Sequence, residues 1–142
     1  RLSAACRGAR TLLAWSASTE RSCLKRCAAA IPALSHDVAL LLERLEDAIP
    51  LVRDHVYHPD FGGGFGLKRV LPALIPDLRH DALEISDGQA AQNELEELMF
   101  PAGPVDTAER ERVRGELMRY CELDTWGVAR LIEVLEEHTR AS

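Results

Sequence analysis

The chain has 142 residues, of which 46% are hydrophobic and 28% charged, so it can form one globular domain with a core and is too hydrophobic for a disordered segment. The net charge of −6 is uneven, because residues 1–30 hold six basic side chains and one acidic side chain, which permits but does not require contact with nucleic acid. No apolar run approaches the ~20 residues of a membrane-spanning helix, and Arg7 and Arg10 interrupt the N-terminal apolar stretch, so we predict a cytoplasmic protein without membrane contact.

The first part of the chain predicts one strand followed by helices. Thr11–Trp15 is a short apolar run that ends in a turn, which is typical of a buried strand, although a buried helical turn has the same pattern. Ser18 is a suitable N-cap for a helix from Thr19 to about Ala30. Ser35 can cap a second helix with one apolar face, and Pro50 ends that pattern before a segment that could be extended. The apolar face consists of Val38, Leu41, Leu42 and Leu45, and the extended segment is Leu51–Tyr57.

The second part predicts a glycine-rich loop and then further helices. Pro59–Gly66 contains three successive glycines, which indicate a loop. The helix that follows contains Pro72, which must kink or shorten it. Asp87 is expected to cap a helix from Gly88 to about Met99. The last apolar pattern is that of two helices meeting near Leu123 or of one bent helix.

These elements amount to five or six helices and one strand. A single strand cannot form a sheet, so the chain is either all-α or part of a larger α/β fold. We predict an α-rich α/β domain with one or few short strands, in which residues 1–142 form a single, partial domain.

Tyr120 and Asp124 are candidate catalytic residues. Their spacing of four places both side chains on one face of a helix. In two-metal cleavage of phosphodiesters a carboxylate binds a divalent ion, and a phenol can position the attacking water. The pattern Tyr-x-x-x-Asp is also common by chance, and the alternative is an ordinary pair on a helix surface.

Glu20 is the second candidate metal ligand. It follows the predicted strand and its turn, so it can face a cleft at the carboxyl end of that strand. The alternative is a first-turn glutamate that only interacts favourably with the helix dipole. If both carboxylates serve one two-metal site, those of Glu20 and Asp124 should lie within about 8 Å of each other.

Several stretches together resemble the DEDD superfamily of 3′–5′ exonucleases, in the variety whose third motif is Tyr-x-x-x-Asp, and more closely the bacterial domain of unknown function 2779 family. Residues 15–20 resemble that family's motif Tyr-Asn-x-x-Phe-Glu, and Tyr120–Thr125 resembles its third motif. The resemblance extends from about Thr11 to Leu135. Three further stretches carry it: Glu43–Pro59, Gly63–Pro72 and Leu83–Ala90.

The resemblance implies the C-terminal portion of a ribonuclease H-like fold and a divalent-metal-dependent 3′–5′ exonuclease-like domain that acts on DNA or RNA. It implies that Glu20 and Asp124 bind Mg²⁺ or Mn²⁺ and that Tyr120 orients the water. Ser16, at the position of the family's Asn, and Lys68, after the glycine-rich loop, are the candidate substrate-contacting residues. Members of the family often follow a RecB- or Cas4-like nuclease domain, which is therefore expected upstream in the natural protein.

Two departures from the family pattern bear on catalytic activity, and the second of them favours a different function. No carboxylate precedes Thr11, so the superfamily's first motif, Asp-x-Glu on a strand, is expected upstream, and this chain alone is expected to show no significant exonuclease activity. Ser16 and Thr19 stand where the family has Asn and an aromatic residue. The alternative is a catalytically degenerate helical module that binds nucleic acid or protein. Asp47 matches a family position that we interpret as structural.

The four cysteines do not form a recognisable metal or disulfide pattern. Their spacing lacks both the regularity of a secreted disulfide framework and the close pairs of a zinc site. We therefore expect reduced thiols that lie in the core as small apolar side chains. The cysteines are Cys6, Cys23, Cys27 and Cys121.

Overall fold

The structure is a computed structural model that describes residues 2–104 and 106–141, without the side chains of Ala82 and Ala141. The chain divides into two compact units, residues 1–59 and residues 60–142. The described residues form seven α-helices and two short strands, which confirms the predicted α-rich α/β class. Every helix in the described part of the chain is too short or too polar to cross a bilayer.

The first unit is built on two short parallel strands. The strands pair with Leu12 opposite Leu45 and Ala14 opposite Asp47. Helices α2 and α3 connect the strands and pack on each other, and α2 also packs on the second strand. The elements are α1 (Leu2–Ala5), β1 (Leu12–Ala14), α2 (Ala17–Ala30), a 3-10 turn (Pro32–Leu34), α3 (Ser35–Leu42), β2 (Leu45–Asp47) and α4 (Ile49–His55).

Two sequence predictions in the first unit are confirmed in part. The strand predicted within Thr11–Trp15 is β1, and it pairs with β2. Leu45, which the sequence placed on the apolar face of the helix after Ser35, is instead the first residue of β2. The helix expected after Ser18 exists as α2, but it begins at Ala17. Its N-cap is Ser16, which has a left-handed backbone with φ 65° and makes no side-chain capping bond.

The extended conformation predicted for Leu51–Tyr57 is wrong. Helix α4 covers Ile49–His55, with Pro50 in its first turn. A proline in that position costs no hydrogen bond, because the first N–H groups of a helix have no acceptor within it. Pro50 therefore starts a helix here and does not end the preceding one.

The second unit is helical in the part that the structure describes. Helix α7 packs against both α5 and α6. The predicted helix after Asp87 is confirmed as α6, and the Asp87 Oδ1 atom accepts a hydrogen bond from the Ala90 N–H at 2.8 Å. The last segment is one continuous helix, so the alternative of two helices meeting near Leu123 is wrong. The elements are a 3-10 turn (Pro59–Phe61), α5 (Leu67–Leu74), a 3-10 turn (His80–Ala82), α6 (Gly88–Met99) and α7 (Thr107–Ala141).

Contact between α5 and α7 depends on a glycine. A Cβ atom added at Gly127 would lie 2.6 Å from the Leu71 Cδ2 atom, so Leu71 would have to shift if residue 127 carried a side chain. Leu71 is fully buried, and Pro72 follows it inside α5. The core of this unit consists of Phe61, Val70, Leu71, Ile85, Val113 and Leu131.

Candidate functional site

Tyr120 and Asp124 lie together on α7, as their spacing predicts. The Asp124 side chain is 36% exposed. Burial raises the pKa of the Tyr120 phenol above its usual range, and the negative charge of Asp124 and a hydrogen bond with it act in the same direction. Tyr120 also lies beside the start of α6, since a Cβ atom at Gly88 would be 3.6 Å from its hydroxyl oxygen. The phenol is therefore a neutral group held next to a carboxylate.

A buried histidine completes this cluster. The 3-10 turn after Arg79 places His80 with its Nε2 atom 2.6 Å from the Asp124 Oδ1 atom, and its ring packs edge-on against Tyr120 at 5.8 Å between centroids. An ionised carboxylate only accepts hydrogen bonds, so Nε2 carries the proton. His80 is 5% exposed, and among the described residues its buried Nδ1 atom has no hydrogen-bond partner.

Lys68 joins the same group of side chains from α5. Its Nζ atom lies 5.3 Å from the centre of the Tyr120 ring, a distance typical of a cation–π contact. The same ammonium group donates a hydrogen bond to the Ser86 carbonyl oxygen. The structure therefore brings together three of the residues predicted from sequence, Lys68, Tyr120 and Asp124.

A pocket lies beside this cluster within the second unit. Its volume is about 240 Å³. Its lining includes Lys68, Arg79 and His80. The remaining lining residues are Pro72, Asp81 and Ser86.

The two remaining predicted site residues belong to the first unit. Glu20 is exposed in the first turn of α2. Ser16 precedes that helix, and its backbone N–H donates to the Asp47 Oδ1 atom at 3.2 Å. Because Glu20 lies in one unit and Asp124 in the other, the short distance between their carboxylates stays a prediction.

Asp47 holds the entry to α2. Its carboxylate accepts hydrogen bonds from the backbone N–H groups of Ser16, Ala17 at 3.1 Å and Ile49 at 2.9 Å. These N–H groups lie at the starts of α2 and α4, where a helix offers no internal acceptors. The structural role predicted for Asp47 is thus confirmed, and the residue fixes the turn that carries Glu20.

The structure gives a restricted set of metal donors. Across residues 2–104 and 106–141 no three His, Cys, Asp or Glu side chains converge to hold a metal ion. The cysteines are free thiols, but the expectation that they lie in the core is wrong, because Cys6 is half-buried and the other three cysteines are exposed. Asp124 is the carboxylate of the cluster, and sequence reasoning missed its partner His80. That histidine follows no apolar period and no motif, so only the tertiary contact reveals it.

The architecture defines an α-rich α/β protein, and comparison adds a family resemblance over its first part. Residues 1–66 match the model of the family described as Domain of unknown function (DUF2779). The match supports the resemblance to that family over these residues, which include Ser16, Glu20 and Asp47. No curated protein and no solved structure matches the chain.

Proposed function

We propose that this chain carries part of a divalent-metal-dependent nuclease site in a domain of the ribonuclease H-like type. The proposed reaction is the hydrolysis of phosphodiester bonds of DNA or RNA from a 3′ end. In this proposal Asp124 and Glu20 bind the metal ions and Tyr120 orients the attacking water. The observation that carries the proposal is the pairing of Tyr120 with Asp124 on α7, with a buried histidine holding the carboxylate.

His80 gives Asp124 the fixed orientation that a metal ligand needs. Carboxylates that bind metals usually accept a hydrogen bond from a second group, and loss of that group typically lowers affinity or activity about 10–100-fold. The His80 Nε2–H donates to one oxygen of Asp124 at 2.6 Å, while the side chain of Asp124 keeps 36% of its surface exposed. The carboxylate is thus both oriented and accessible, which favours a ligand role over an ordinary surface position.

Asp124 can supply some of the ligands of a metal site. Asp124 offers carboxylate oxygens, the ligands that Mg²⁺ and Mn²⁺ prefer, but such ions take about six ligands. We propose that Glu20 and an Asp-x-Glu strand upstream in the natural protein supply others. When bound, the ions would stabilise the charge that develops on the attacking and leaving oxygens.

Tyr120 is the proposed positioning residue for water. Its raised pKa keeps the phenol neutral at physiological pH, so the hydroxyl oxygen can accept a hydrogen bond from water while its proton is donated. The contact with Lys68 and the edge-on packing of His80 restrict the ring. A fixed hydroxyl contributes alignment, and a misplacement of about 1 Å can cost ~10²-fold in rate.

The test is degradation of end-labelled single-stranded DNA and RNA by the full-length natural protein with Mg²⁺ or Mn²⁺. We expect Asp124→Asn to reduce the rate at least about 10²-fold and Tyr120→Phe about 10²-fold. Glu122→Gln is the matched control, because Glu122 is exposed on the same helix, and it should leave the rate unchanged. The chain of 142 residues alone should leave both substrates intact, since its described residues bring no complete ligand set together.

Metal-dependent degradation that persists in Asp124→Asn would contradict the proposal. Degradation by the 142-residue chain alone that Asp124→Asn abolishes would show that no upstream motif is required.

A second function has a specific observation in its favour. The N–H groups at the start of α2 are occupied by Asp47, and Ser16 and Thr19 replace residues of the family's second motif. This arrangement suits a stable helical module that binds nucleic acid or protein without chemistry. Full-length protein that binds single-stranded nucleic acid, but leaves it intact with either metal, would favour this second function.

A further inference from the structure

We infer that Cys23 and Cys27 form a binding site for a soft monovalent metal ion, namely copper(I). Both cysteines lie in α2, four residues apart, and both are exposed free thiols. Residues four apart in a helix lie on the same face, so the two thiols are neighbours on the surface of the first unit. The inference goes beyond the proposed nuclease site, because it assigns a ligand to side chains that the proposed hydrolysis does not use.

The two thiols lie away from the face by which α2 packs in its unit. The residues of α2 that are buried or half-buried recur at helical spacing, and none of them is a cysteine. They are Ala17, Arg21, Leu24 and Ala28. Arg21 donates hydrogen bonds to the carbonyl oxygens of Leu42 and Leu45, which holds that face against α3 and β2. Cys23 and Cys27 therefore remain accessible to an ion from solvent.

The helical spacing fits one ion between the two sulfurs and disfavours a direct disulfide. The Cβ atoms of residues four apart in a helix are separated by about 5–6 Å, whereas a disulfide holds its Cβ atoms about 3.5–4.5 Å apart. Metal–thiolate bonds are about 2.3 Å long, so an ion bound by two sulfurs in a line separates them by roughly 4.6 Å. Rotation of the two side chains reaches that separation without any change in the helix.

The number and the type of the donors select the ion. Across residues 2–104 and 106–141 no three His, Cys, Asp or Glu side chains converge, so the pair of thiols has no third protein ligand of these types. Zinc in structural sites is almost always four-coordinate, and Mg²⁺ prefers oxygen ligands. Thiolates select soft ions such as copper(I), which is stable with two ligands in a line. Each thiol gives its proton to the buffer as its sulfur binds, and no electron is transferred.

A basic side chain beside the pair favours the charge of the complex. Two thiolates around one monovalent cation leave one negative charge on the site. Arg26 lies next to Cys27 and three residues after Cys23, so it belongs to the neighbouring part of the same surface. In the part of the chain that the structure describes, Arg26 forms no ion pair with a carboxylate. Its positive charge is therefore free to stabilise the complex.

The experiment is an anaerobic titration of the reduced 142-residue chain with copper(I) in the presence of the competing chelator bicinchoninate. We expect one ion to bind per chain. Cys23→Ser and Cys27→Ser should each weaken binding by more than about 100-fold, the largest loss typical of a group that only orients a ligand. The matched control combines Cys6→Ser with Cys121→Ser, which keeps two thiols and should bind copper(I) as tightly as the unmodified chain.

A second variant separates the spacing of the thiols from their number. Cys27→Ser combined with Ala29→Cys keeps four thiols, but it places the second one six residues after Cys23 and off its face of the helix. Ala29 is exposed, so the substitution disturbs no packing. This variant should bind copper(I) as weakly as Cys27→Ser alone. Circular dichroism shows whether each variant keeps its helices, so that a loss of binding is read only from folded protein.

One variant distinguishes this site from the proposed nuclease site. Glu20 precedes Cys23 by three residues on α2, and its carboxylate belongs to the proposed nuclease site. Glu20→Gln should leave the affinity for copper(I) unchanged, because a carboxylate is a poor ligand for a soft ion. A loss of copper(I) binding in Glu20→Gln would overturn the assignment of the ion to the thiols alone.

X-ray absorption at the copper edge reads the ligands directly, and we expect two sulfur neighbours. The inference is overturned if the chain retains no copper(I) against the chelator or if copper has oxygen or nitrogen neighbours or more than two sulfurs. It is also overturned if the variant with displaced thiols binds as tightly as the unmodified chain. Loss of binding in the combined Cys6→Ser and Cys121→Ser variant would overturn it as well.

Discussion

Removal of the Asp47 carboxylate tests how the first unit holds the turn that carries Glu20. Asp47→Ala removes three backbone hydrogen bonds, two of them made by Oδ1 and one by Oδ2. Loss of a capping carboxylate costs about 0.5–2 kcal/mol, and each buried N–H left without an acceptor adds about 1–3 kcal/mol. Because these sites are only partly buried and water can replace some bonds, we expect the free energy of unfolding to fall by about 2–4 kcal/mol. Asp47→Asn keeps one acceptor oxygen and should lose about half as much.

The assay for Asp47 uses the fact that the two tryptophans lie in different units. Trp15 follows β1 and Trp126 lies on α7, so a Trp126→Phe background makes fluorescence report on the first unit alone. Urea unfolding of Asp47→Ala is compared with Glu46→Ala, whose side chain is exposed on the same strand. A loss below about 0.5 kcal/mol, the range of ordinary surface substitutions, would refute the role given to Asp47.

Two further predictions concern the second unit. Gly127→Ala should lower the free energy of unfolding, measured in urea, by about 1–3 kcal/mol, because its Cβ would overlap with Leu71. Gly115→Ala is the control on the same helix, since its Cβ would meet nothing within 4 Å, and it should raise the free energy of unfolding by about 0.5–1 kcal/mol. In a Tyr57→Phe background, the absorbance of the phenolate should give a pKa for Tyr120 above the ~10 of free tyrosine, and Asp124→Asn should lower it. Because the pKa of Tyr120 is raised in the folded state, the neutral phenol stabilises the fold fully below the pKa of the unfolded state, and this stability is lost as the pH rises through the folded pKa. A measured Tyr120 pKa at or below that of free tyrosine would contradict the geometry.

Local signals explain which parts of the fold were predictable. Helix α6 follows from a capping Asp87, and a cap acts between neighbouring residues. The pairing of Tyr120 with Asp124 also follows from sequence, since four residues make one helical turn. These features need no knowledge of distant contacts.

Distant contacts explain what the sequence could not predict. Strand β2 has three residues with one buried side chain, Leu45, and it exists because it pairs with β1 more than thirty residues earlier. His80 lies 44 residues from its partner Asp124, and neither periodicity nor spacing marks it. A proline such as Pro50 can end one helix or lie in the first turn of the next, and the residue type alone does not show which.

The central claim is that Asp124 is a metal ligand beside Tyr120, and Mn²⁺ titration followed by NMR tests it most directly. Paramagnetic broadening detects weak binding, so the 142-residue chain can be used even with an incomplete ligand set. We predict that small additions of Mn²⁺ broaden the Tyr120 ring and His80 signals first. This selectivity should be lost in Asp124→Asn and kept in Glu122→Gln. Broadening that spares Tyr120, or that is the same in Asp124→Asn as in the unmodified chain, would contradict the account.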